Sequence, residues 1–164
     1  MNRGIVIFIS LILTISVVAQ TPIKDEELKK VFPTTISSFQ RTGELEGITL
    51  NIEGTSFSNA TAKYKKGSVT IEIVIIDYAD SKEMFESSAL NVNEELDYKS
   101  GGTFAKTFTM DGKKGYVMGD KKANTTTMIL VWGERFVLNV SVNGKYDEAF
   151  IKAIYKEIDL SILL

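Results

Sequence analysis

The chain has 164 residues, with 19 Lys and Arg against 21 Asp and Glu, and contains neither histidine nor cysteine. Its formal net charge of −2 offers no strong field to gather nucleic acid or an anionic lipid surface. Without histidine or cysteine, Ser-His-Asp and Cys-His catalysis, Cys/His zinc sites and disulfide staples are all impossible, so stability has to come from the core.

Residues 1–19 read as a cleavable signal peptide. Met1 to Gly4 carry one basic side chain, Arg3, and residues 5–18 are apolar apart from Ser10, Thr14 and Ser16. Val17-Val18-Ala19 then suits cleavage before Gln20. The run is shorter than the about 20 apolar residues of a spanning helix. No stable membrane span is therefore expected after cleavage, and the lack of cysteine excludes an N-terminal lipoprotein cysteine. The expected product is a single domain of residues 20–164, bacterial, exported, and periplasmic or secreted.

In chain order, Thr21 and Pro22 read as the cap and first turn of a helix over residues 24–32. Asp25, Glu26 and Glu27 suit its N-terminus, and Leu28, Val31 and Phe32 would face inward. Pro33 ends it, and Ile36 and Phe39 plug the edge of the core. Gly43, Gly47 and Gly54 make residues 41–55 read as a loop around a short strand at 48–52. Ala60, Ala62 and Tyr64 then alternate with polar residues, Lys65-Lys66-Gly67 turns, and Val69, Ile71, Ile73 and Ile75 line one face of the next strand. The other face of that strand begins polar at Thr70 and Glu72 and ends apolar at Val74 and Ile76, as in a central strand.

Asp80 with Glu83 resembles a capping box, and Phe85, Ala89, Val92 and Leu96 form the stripe of one amphipathic helix stopped by Gly101-Gly102. Phe104, Phe108 and Met110 lead to Asp111-Gly112, a tight-turn pair, and residues 116–118 return. Strands at 125–132 and 136–142 form a hairpin around Gly133-Glu134, read as a type II′ turn, with Phe136, Leu138, Val140 and Val142 inward. Asp147 caps a last helix striped by Phe150, Ile151, Ile154 and Ile158. The expected fold class is α+β: a mostly antiparallel sheet of about six strands, with helices packed on one face.

The segment Phe32-Pro33-Thr34-Thr35-Ile36-Ser37-Ser38-Phe39-Gln40-Arg41 resembles the opening of an uncharacterised family of small exported bacterial proteins. Ala60-Thr61-Ala62-Lys63-Tyr64, Ile75-Ile76-Asp77, Gly133-Glu134-Arg135-Phe136-Val137 and Ile158-Asp159-Leu160 are similar to its pattern too. Phe32 and Ser38 depart from the family's usual Leu and Gly. More distantly, the order of strands is similar to PsbP-like α+β domains. The resemblance implies an exported domain and lends no functional residues.

Two acidic groups invite a chemical reading. Asp77, Asp80 and Glu83 flank a strand-to-helix junction, where carboxylates can hold Ca²⁺. No EF-hand spacing is present, so Asp80 reads as a helix cap and Asp77 as an acceptor for loop backbone. Glu94, Glu95 and Asp97 read as a solvated helix face, since neighbours on one helix cannot oppose each other across a substrate. No catalytic, cofactor or metal residues are assigned.

The remaining candidates are a partner surface. Lys65, Lys66, Lys113, Lys114, Lys121 and Lys122 sit in or beside turns. They read as solvated residues that discourage edge pairing, or, if the hairpins align, as a basic rim for an anionic polymer. Trp132 is either an exposed anchor or a ring packed over the end of the sheet. The sequence thus points to an exported, non-enzymatic binding or envelope-accessory domain. Its partner would be an unknown protein or envelope component, not nucleic acid. The alternative is a histidine-independent hydrolase built on carboxylates.

Overall fold

The computed structural model describes residues 20–52 and 55–163, so the signal-peptide reading of residues 1–19 lies outside the described residues. The described chain is dominated by one antiparallel sheet of nine strands: β1 (Thr35–Ile36), β2 (Phe39–Ile52), β3 (Thr55–Lys66), β4 (Val69–Asp77), β5 (Asp97–Ser100), β6 (Thr103–Met110), β7 (Lys113–Asp120), β8 (Thr125–Trp132) and β9 (Phe136–Asn143). Their order across the sheet is β1-β2-β3-β4-β9-β8-β7-β6-β5. Two meanders, one running out from each edge, meet where β4 pairs with β9. Three short helices accompany the strands: α1 (Asp25–Leu28) before β1, α2 (Lys82–Ser88) in the connection between the meanders, and α3 (Glu148–Tyr155) after β9.

This corrects the expected fold class. The protein is mostly β, with nine strands in place of about six, and its helices are short and lie on both faces. Alternation along the strands shows how. Ile71, Ile73 and Ile75 of β4 share a face with Leu138 and Val140 of β9 and with Met128 and Leu130 of β8, all buried. Leu28 of α1, Val31, and Ile151 and Ile154 of α3 close that face into the main core. The opposite face holds a smaller cluster, in which Phe85 of α2, Ala89 and Val92 pack on Tyr116, Val131 and Val137.

The second cluster exists because of the topology. The connection from the end of β4 to β5 has to cross β9, β8, β7 and β6 to reach the far edge. At about 4.8 Å per strand, α2 and the 3₁₀ turn Leu90–Val92 cover one band of the face and leave the rest open. Ile48, Ile52 and Met118 on that face are 51%, 61% and 44% exposed.

Three local readings are overturned with it. Residues 41–52 are not loop but most of the 14-residue β2, whose register shift between Thr42 and Glu46 absorbs Gly43 at φ +72°. The stripe from Phe85 to Leu96 is not one helix. The chain leaves it after Val92, and Leu96 accepts the backbone N–H of Thr107, beginning the pairing of β5 with β6. At the start, α1 is a single turn preceded by Lys24 rather than a helix capped by Thr21.

Turn chemistry follows the residues closely. Asp111-Gly112 has positive φ at both positions, as the tight turn requires. Gly133 and Glu134 are also both positive, at 62° and 50°, the type I′ pattern and not II′. Within β7, Gly115 and Gly119 lie opposite Phe108 and Phe104. A Cβ on Gly119 would run into the Phe104 ring, so the glycines make room for two aromatic rings to lie over the strand.

Candidate functional site

Asp77 is the next residue in the inward series Ile71, Ile73, Ile75, and it is fully buried. A charge taken out of water has to be paired and hydrogen-bonded, and here it is. Arg135, from the turn between β8 and β9, donates Nε to Oδ1 and a second guanidinium nitrogen to Oδ2 at 2.6 Å. The backbone N–H groups of Ile23 and Ala79 complete the carboxylate at 2.7 and 2.9 Å. The hydrogen bonds to the carboxylate also raise the affinity of the guanidinium for its proton further, so Arg135 stays charged at any ordinary pH.

The ion pair anchors a row across this end of the sheet. Lys113 lies over the Trp132 ring at 5.6 Å from its centroid, Trp132 stacks on Phe136 at 5.3 Å, and Arg135 lies over Phe136 at 5.1 Å. Phe136 pairs in register with Asp77, and Asp77 with Ser58. The indole Nε1 of Trp132 is buried with no hydrogen-bond partner, a cost of roughly 1–3 kcal/mol set against its stacking.

The first described residues are laced onto this row. Arg135 donates to the backbone carbonyl of Thr21 at 3.0 Å and to the side-chain oxygen of Gln20 at 3.1 Å. The Ser58 hydroxyl donates to the carbonyl of Ile23 at 2.5 Å, and Gln20 donates its backbone N–H to Asp80 at 2.6 Å. Pro22 is buried beneath them. Asp80 therefore holds the N-terminal segment and does not cap α2. The residue before α2 is Ser81, whose side chain bonds the backbone of Ser56 instead.

Beside this row lies a cleft of about 400 Å³. Phe85, Ala89 and Val131 give it an apolar floor, and Lys82, Glu86, Lys114 and Glu134 give it charges of both signs. The turns at Gly112 and at Gly133-Glu134 close one side and α2 the other. A second hollow of about 410 Å³ shares Lys82, Gly133 and Glu134 and continues to Gln20, Asp80 and Arg135. Glu86 is tied to Lys82 at 3.6 Å. Among the described residues, no group of three or more acidic side chains stands close enough to hold a metal ion.

The lysines of the expected basic rim are divided between the two ends of the sheet. Lys113 and Lys114 begin β7, at the end that holds the cleft, whereas Lys121 and Lys122 follow its last residue. Eight residues of strand separate them by about 25 Å. Lys65 and Lys66 share the far end with Lys121 and Lys122, but β4, β9 and β8 lie between. Lys114 lines the cleft, and Lys66 bonds the Ser38 hydroxyl at 2.7 Å. Lys113 is not a solvated turn residue. It is 9% exposed, with its ammonium over Trp132.

Sequence reasoning missed Arg135 and the cleft. Arg135 lies 58 residues from Asp77, and no local pattern connects them. The available signal was the parity of Asp77, a charge in an inward position that demanded a partner. None of the described helices is long and apolar enough to cross a membrane. Comparison of the chain with protein-family models, with curated proteins and with solved structures finds no match.

Proposed function

We propose that the protein is an exported, non-enzymatic binding domain of the bacterial cell envelope or its surroundings, and that it engages its partner at the cleft between α2 and the turn after β8. The cleft itself carries this reading. An apolar floor supplies contact area, and a rim of Lys82, Glu86, Lys114 and Glu134 supplies orientation, the usual composition of a recognition site. Its charges of opposite sign suit a mixed-charge protein or envelope component better than a polyanion, which the split lysines also disfavour.

The test is capture from the native cell envelope by wild-type protein, by the charge-swapped pair Lys82→Glu/Glu86→Lys, and by Lys121→Ala/Lys122→Ala. A partner that is lost with the first variant and retained with the second supports the cleft, provided both variants melt as wild type does. The reverse pattern would move the site to the far end of the sheet. Glu86 and Glu134 both line the cleft, which favours a carboxylate-based hydrolase as the second reading. Turnover of glycoside or ester substrates that disappears in Glu134→Gln would establish it in place of the first.

A further inference from the structure

Gln20 is held through both its backbone and its side chain. Its backbone nitrogen lies 2.6 Å from Oδ1 of Asp80, and its side-chain oxygen lies 3.1 Å from Arg135. Thr21 and Ile23 are fixed to Arg135, Asp77 and Ser58 immediately behind it. In an uncleaved chain that nitrogen is an ordinary amide, and a carboxylate facing it gains one neutral donor. Once the bond between Ala19 and Gln20 is cut, the same nitrogen becomes an ammonium ion, and the contact becomes a charge-assisted one.

We propose that Asp80 is the receptor for the α-ammonium group freed by cleavage before Gln20, and that this docking keeps Gln20 from cyclising. The inference rests on the signal-peptide reading of residues 1–19. An N-terminal glutamine closes to pyroglutamate when its neutral amine attacks its own side-chain carbonyl carbon. A nitrogen–carbon bond forms, the bond from that carbon to the amide nitrogen breaks, and ammonia leaves with the proton the amine gives up. Docking opposes this through the amine: Asp80 favours its protonated, non-nucleophilic form, while Arg135, 3.1 Å from the carboxamide oxygen, ties the side chain to a different residue. Maturation therefore adds a charge to the cluster around Asp77 and Arg135, and cyclisation would remove that charge.

The experiment uses the full chain, expressed in a bacterial host that exports it. The intact mass of the exported protein gives its first residue. The purified protein is then incubated near neutral pH, and loss of ammonia from the N-terminal peptide is followed by mass spectrometry. Wild type is compared with Asp80→Asn and with wild type in denaturant. The folded wild type should cyclise about fivefold more slowly than Asp80→Asn, the scale of an exposed ion pair, and more slowly still than the unfolded chain. Asp80 is exposed, so the variant should fold, which an unchanged melting temperature confirms. Were Asp80→Asn to misfold, the folded and unfolded wild-type rates would decide alone. A first residue other than Gln20 overturns both the processing reading and the docking. A Gln20 start with equal rates overturns the docking alone.

Discussion

Ile75 and Ile76 are chain neighbours with identical side chains, yet they lie on opposite faces of β4 and meet different surroundings. Ile75 is fully enclosed between β9, β3 and the cover supplied by α1 and α3. Ile76 is only partly buried, at the margin of the cluster beneath α2. The sheet offers apolar residues to both sides, but only one side has enough helix to seal it. The other is crossed once, by a connection whose course is set by where β5 has to go. The closed face supplies stability, and the half-covered face holds the cleft and the exposed apolar side chains on which the proposed binding rests.

The largest expected effect separates the two faces directly. Ile75→Ala should cost about 4 kcal/mol, because nothing around a fully enclosed site can collapse into the space. Ile76→Ala should cost only about 1–2 kcal/mol, since part of its surface is already wet. Denaturant unfolding with unchanged m-values measures both, and equal losses would mean that the second face is as well sealed as the first.

Arg135→Ala comes next. It strips the partner from a buried carboxylate and should cost about 3 kcal/mol, with a smaller loss in Asp77→Asn/Arg135→Ala than in the single variant. If the double variant were the worse of the two, the ion pair would not be what the closed face depends on at this end.

Two tyrosines test how dry the closed face is. Burial pushes the hydroxyls of Tyr64 and Tyr155 up to about 12, with Asp111 adding to the effect at Tyr155. Below pH 10 both states keep these protons. Between about 10 and 12 the unfolded chain releases them while the folded chain does not, so stability falls across that window by up to about 2–3 kcal/mol for each. Unfolding free energies measured at pH 9 and pH 11 should show the loss, and Tyr64→Phe should remove part of it.

The smallest effect concerns the lid of the closed face. Asp147 accepts the backbone N–H of Phe150 at 2.9 Å as the cap of α3, and that bond, helped by Lys145, holds its carboxyl below the usual range. Asp147→Ala should cost about 1 kcal/mol at neutral pH. Because the folded carboxyl holds its proton less tightly than the unfolded one, the wild-type advantage is present above the ordinary carboxylate range and fades as pH falls through the folded value. A difference between wild type and Asp147→Ala that persisted unchanged in strong acid would assign the effect to packing and not to the cap.

How far the sequence could be read differs between the same regions. The strands that pack the closed face were legible, because Ile71, Ile73 and Ile75 and then Phe136, Leu138, Val140 and Val142 repeat with period two and face the core as the pattern demands. So was α3, whose Asp147 and Ile151-Ile154 stripe are local signals. β2 was hidden by Gly43 and Gly47, which suggest a loop until β3 is available to pair with. Gly47 in fact stands where a Cβ would meet the Asp25 side chain at 2.9 Å, a requirement of the contact with α1 that no pattern within the strand reveals. The stripe from Phe85 to Leu96 satisfied helical spacing, yet pairing with β6 claimed its last residues. The cleft was illegible because its walls come from α2 and from two turns that only the topology brings together.

The seam between β4 and β9 also governs how the molecule assembles. Each meander grows by hairpins between consecutive strands, which close small loops and cost little chain entropy. The seam joins partners such as Val74 and Asn139 across the whole α2 connection and the second meander. Contacts so distant in sequence slow folding, and a half formed alone leaves β4 or β9 as a bare, strongly apolar edge. The order of events that avoids this hazard is for both meanders to form first and for the seam to lock them, with Ile73 and Val140 meeting late. Substitutions there should then quicken unfolding more than they slow folding.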